Sequence, residues 1–145
     1  MKLEEQVLSI EQARCLQKLG LDMSDGCFIW NINPDTKEAC VGVEYINEQC
    51  SVYTYTLQRI KEILPSKIKV DNEVYKLTGE HNLNLAEHWD GFGYSRKNYV
   101  RWVDNELFEF IDYFICYRDG NSLNNAYDLL CWTIRNGYLI TKETK

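Results

Sequence analysis

Apolar residues recur at Ile10, Ala13 and Leu16, and Cys15 and Leu19 widen the stripe, a spacing that predicts one face of a helix. Ser9-Ile10-Glu11-Gln12 in front of it has the form of a capping box, in which the Ser9 oxygen accepts from the Gln12 amide and the Gln12 side chain reaches back. Gly20 supplies the left-handed residue that ends such helices, so the expected helix runs from Ile10 to Leu19. Cys27 to Ile32 is rich in residues that suit a pleated surface and is closed by Asn33-Pro34-Asp35, which predicts a strand and a turn. Ala39 to Tyr45 predicts a second strand pairing back as a hairpin, and Ser51 to Tyr55 a third. Thr56 then caps a helix carrying Leu57, Ile60, Ile63 and Leu64, which Pro65 stops.

Strict alternation returns in Lys67 to Val70 and Glu73 to Leu77, on either side of Asp71-Asn72, and predicts a short hairpin. From Gly79 to Ala86 the pattern dissolves and reads as a surface loop. Gly91 and Gly93 allow a turn, a bulge or a close backbone approach. Tyr99 to Tyr117 fits both periods, and its aromatic density, with the turn Asp119-Gly120-Asn121 behind it, favours strands. The last helix has Ser122 as its expected cap and a stripe of Leu123, Ala126, Tyr127, Leu130, Cys131 and Ile134 ending at Gly137. The expected fold is therefore α+β, a curved antiparallel β-sheet with about three α-helices packed on it, in one domain over residues 1–145. Whether the strands make one sheet or two stays open.

Composition supports a globular chain: 145 residues can bury a core unaided, and 8 Gly with 2 Pro leave little for linkers. Charged or polar residues interrupt every apolar stretch, which excludes a spanning helix and a membrane partner. The acidic start, Met1 to Gln6, lacks the apolar segment of a secretion signal, so a soluble, cytoplasmic protein is expected. Six cysteines without a CxxC pair read as buried reduced thiols, Cys116 and Cys131 as core and Cys27 or Cys50 as candidates for solvent.

No nucleophile elbow, phosphate loop, dinucleotide fingerprint or paired zinc ligands occur, so no catalytic, cofactor-binding or metal residue is assigned. His81 and His88, near Glu80, Glu87 and Asp90, form the one local group of metal-capable side chains; a solvated polar loop is the competing reading. Aromatic content gives a different lead, because 10 Tyr, 4 Trp and 5 Phe exceed what the core obviously needs. Tyr53 with Tyr55, or Trp89 with Tyr94, are candidates for a recognition patch, against the alternative that they close the rim of the core. Arg96-Lys97 and Arg101 among Tyr94, Tyr99 and Trp102 mix cations with rings as a single-strand binder does, although a net charge of −6 argues against nucleic acid.

Three blocks, Leu8 to Asp22, Tyr53 to Gln58 and Leu129 to Tyr138, resemble small uncharacterised proteins encoded in gut-bacterial prophages and mobile elements. The resemblance covers about a third of the chain and implies no activity. The leading expectation is a non-enzymatic accessory protein that binds another protein or itself. The alternatives are a small metal-dependent or hydrolytic enzyme using the His81 to Asp90 segment, and single-stranded nucleic-acid binding through Tyr94 to Trp102.

Overall fold

A computed structural model describes residues 2–26, 28–43, 50–81, 90–118 and 121–139. After a short 3-10 turn at Leu3–Glu5, helix α1 spans Ile10–Lys18. Its capping box is complete: Ser9 Oγ accepts from the Gln12 amide at 3.1 Å while the Ser9 amide donates to Gln12 Oε1 at 3.0 Å. Ala13 and Leu16 are the buried face the stripe predicts. Strands β1 (Phe28–Ile32), β2 (Ala39–Gly42) and β3 (Ser51–Thr54) follow, all antiparallel, with β1 central in the order β2-β1-β3. The expected continuations to Cys27, Glu44 and Tyr45 lie outside the described residues.

Thr56 caps helix α2 (Leu57–Ile63) through the Arg59 amide, and Ile60 is its buried residue. The hairpin that follows pairs β4 (Lys67–Val70) with β5 (Glu73–His81) across Asp71 and Asn72, which both adopt positive φ. Such a pair matches the right-handed twist of the flanking strands. β5 continues through Gly79, Glu80 and His81, so the surface loop expected from Gly79 begins later than the sequence suggests. Backbone pairing with β6 supplies the order that the side-chain pattern lacks there. The rest of that loop, from Asn82 to Ala86, lies outside the described residues.

β6 (Asp90–Val103) and β7 (Glu106–Tyr117) complete a second antiparallel sheet in the order β4-β5-β6-β7. The ambiguous aromatic region is strand, and it turns at Asp104-Asn105, with φ of 50° and 66°. Among the three alternatives at the glycines, close backbone approach holds at Gly93: an added Cβ there would sit 2.1 Å from the Ile115 carbonyl oxygen. Helix α3 (Ser122–Arg135) is capped by Asn121 rather than Ser122. Asn121 has extended backbone and its side chain accepts from the Asn124 amide, which makes Ser122 the first helical residue. Gly137 is left-handed, as expected after the helix.

The class is α+β, and the strands divide into two sheets that share one core. α1 gives Ala13 and Leu16, α2 Ile60, β6 Phe92 and Tyr94, and α3 Leu129, Leu130 and Ile134, with Leu8 and Tyr55 joining them. The Leu8 carbonyl ties the start of the chain to the first sheet by accepting from Trp30 Nε1 and Thr54 Oγ1, each at 2.8 Å. Gln12 Nε2 donates to Asn124 Oδ1 at 2.9 Å and links α1 to α3. No helix among the described residues is long and apolar enough to cross a membrane.

Candidate interaction surface

Two of the candidate recognition tyrosines belong to the interior. Tyr94 is completely buried, and its hydroxyl donates to the Pro65 carbonyl at 2.8 Å. Tyr55 is also buried, donating to Asp25 Oδ1 at 2.7 Å and to the Asp22 carbonyl at 3.2 Å. Neither offers a face to a partner: each ring is packed into the core, and acceptors at the rim satisfy its hydroxyl. Burial raises both hydroxyls above the ordinary tyrosine range, and at Tyr55 the Asp25 carboxylate adds to the effect. Tyr53 is half-buried and borders a shallow recess with Gln17, Leu21 and Asp22.

His81 ends β5 in register with Asp90 at the start of β6, so the backbone brings these two candidates opposite each other. His88 and Trp89 lie outside the described residues. No group of three histidine, cysteine or acidic side chains able to hold a metal occurs among the described residues. A pocket of about 420 Å³ lies on the other sheet and is bordered by Asn31, Glu38, Cys40, Cys50 and Ser51, where Ser51 Oγ donates to Asn31 Oδ1 at 2.7 Å.

The thiols divide by position. Cys131 is buried, its thiol is raised chiefly by that burial, and it shares the Tyr127 hydroxyl with Cys15 between α1 and α3. A raised thiol is a poor nucleophile, consistent with a packing role. Cys15, Cys50 and Cys116 are half-buried and Cys40 is exposed, so among the described residues the expectation of buried thiols holds fully only at Cys131, and Cys27 lies outside them. Short edge strands such as β2 cannot cover both of their faces, which is why Cys40 is open to solvent.

Much of the aromatic content forms a run beneath the second sheet. Tyr94, Trp132 and Phe114 lie in sequence with centroid separations of 6.3 and 6.0 Å; Phe114 continues to Tyr75 at 5.2 Å, and Tyr138 stacks on Trp132 at 5.2 Å. Such offset contacts add to area burial. Among the described residues two aromatics are exposed, Phe114 at the edge of this run at 45% and Trp102 at 73%.

The setting of Trp102 follows from strand register. β5 pairs with β6 only as far as Ser95, whereas β6 and β7 stay paired to Val103 and Glu106. Beyond Ser95 the two strands therefore run on as a ribbon of roughly 25 Å at about 3.3 Å per residue. Register shifts between Tyr94 and Asn98 mark the point of departure, where bulges bend and twist a strand. Arg96 straps this root, its Nε and Nη2 donating to Asp112 Oδ2 at 3.1 and 2.7 Å with Glu73 at 3.7 Å. Near the tip Trp102 is 73% exposed and pairs in register with Leu107, which is 55% exposed; Val103 is exposed beside them. The sequence held the signal for this tip, since Asp104-Asn105 repeats the turn chemistry of Asp71-Asn72. The long ambiguous stretch around it hides the repeat. Comparison with known proteins adds no name to this surface: no family model, curated protein or solved structure matches the chain.

Proposed function

We propose that the protein is a non-enzymatic binding protein whose contact surface is the distal β6–β7 ribbon. The observation that carries this reading is the cross-strand pair of Trp102 and Leu107, exposed together at the end of a projecting ribbon. Tryptophan is among the residues that dominate binding energy, because a large rigid ring loses little conformational freedom on contact. Holding one in water beside leucine has no benefit to the fold, so its use lies in association. Two features weigh against single-stranded nucleic acid at the same segment: Tyr94 is unavailable for stacking, and β7 brings Glu106 and Asp112 alongside the basic strand.

The test is capture by immobilised protein from a nuclease-treated bacterial lysate, comparing wild type with Trp102→Ser, Leu107→Ser and the double variant. Specific capture that the ribbon variants abolish and Tyr53→Ser leaves intact supports the proposal. Capture indifferent to the ribbon variants, or an absence of any specific protein, including the chain itself, overturns it.

A further inference from the structure

Resting on that reading, we infer that the ribbon is a preset arm, held at one angle to the body by Phe114 and Arg96 as positioning residues and hinged on the bulges beneath them. Its posture is not set at the tip, because every side chain from Arg101 to Leu107 is exposed. It is set at the root, where pairing is least regular. From Tyr94 to Ser95 the β6 strand advances one residue while its partner moves from Ile115 to Tyr113, which leaves Phe114 as an extra residue on β7. From Ser95 to Asn98 the surplus falls on β6, against Tyr113 to Ile111. The two bulges offset each other, and regular pairing resumes from Asn98 to Val103.

Bulges re-aim side chains as well as bending strands. Here the re-aimed ring is Phe114, whose centroid lies 5.2 Å from Tyr75 of β5 and 6.0 Å from Trp132 of α3, so one residue of the root touches two elements of the body. Arg96 makes the second tie, donating to Asp112 of β7 and reaching Glu73 of β5 at 3.7 Å. β6 pairs with β5 no further than Ser95, so Glu73 and Tyr75 hold the departing ribbon by side chain and not by backbone. Both ties are partly open to water, where salt screens an ion pair, and both are therefore reversible. An arm without them samples many angles, and only the fraction in the binding posture counts towards affinity. Holding one angle is preorganisation for contact through Trp102 and Leu107.

Amide residual dipolar couplings of the full chain, aligned in a neutral stretched gel, test this. In wild type the couplings of body and ribbon fit one alignment tensor. In Arg96→Gln and Phe114→Ser those of the ribbon shrink together relative to the body, while the ribbon still fits an antiparallel hairpin and the body keeps its own tensor, which checks the fold. Arg96→Lys restores part of the loss, and high salt loosens the wild-type arm as Arg96→Gln does, because only the ionic tie is screened. Lysate capture falls about tenfold in affinity where release leaves the binding posture about a tenth populated. A wild-type ribbon that already averages apart from the body, or one tensor that survives both variants, overturns the inference. So does capture that Trp102→Ser abolishes and release of the arm leaves unchanged. Capture indifferent to Trp102→Ser and Leu107→Ser overturns the contact reading alone, and the couplings still decide the hinge.

Discussion

The two halves of strand β6 have similar residues and opposite fates. Between Asp90 and Ser95 the strand lies between β5 and β7 with α3 packed on it, and Phe92 and Tyr94 are 5% and 0% exposed. Past the bulges it has β7 alone beside it, and Trp102 stands in solvent. Aromatic residues occur on both sides of that boundary. What differs is the number of neighbouring elements, so burial here is set by topology and not by hydrophobicity alone.

Removing a ring from each half breaks the comparison most directly. Tyr94→Ala is expected to cost about 3–5 kcal/mol in denaturant unfolding, the range for deleting a large buried aromatic side chain. Trp102→Ala changes the stability of the monomer by no more than about 0.5 kcal/mol, as surface substitutions do. Similar losses at the two sites would mean that the ribbon is packed into the fold. Gly93→Ala comes next: its methyl group meets the Ile115 carbonyl oxygen at 2.1 Å, which is backbone and cannot swing aside. Forcing β6 and β7 apart there costs about 1–3 kcal/mol, the usual range for overpacking. A neutral Gly93→Ala in thermal or chemical unfolding would show that the two strands separate freely at the root of the ribbon.

Legibility in the sequence follows the same division between local and topological causes. Ser9, Thr56 and the Asp71-Asn72 turn act through atoms a few residues away, and each does what its chemistry predicts. The sequence points to Ser122 as the cap of α3 and the structure has Asn121, because both are capping residues and only backbone conformation chooses between them. Strand in the aromatic region was legible, but the length of β5 was not, since its end is fixed by backbone pairing to β6. Tyr55 and Tyr94 read as surface candidates because sequence gives composition without depth. The sequence marks Trp102 as an aromatic among cations. Its exposure could not be seen, because it depends on where β5 stops pairing.

The smallest effect sharpens the comparison from the side of the body, where charge works at the rim of a packed core. Burial alone would raise the Asp25 carboxyl, but hydrogen bonds from Tyr55 and Arg59 and the guanidinium charge hold it below its ordinary value of 3.8. A carboxyl with a depressed value in the folded chain takes up its proton more readily when unfolded. Its contribution is therefore present above 3.8 and is lost as pH falls through the folded value. The Asp25 and Arg59 side chains are 51% and 35% exposed, so screening keeps the effect of Asp25→Asn at neutral pH below about 1 kcal/mol. Urea unfolding at a series of pH values should show this penalty shrinking towards zero in acid. A penalty that stays constant with pH would mean that Asp25 acts through shape, as Gly93 does.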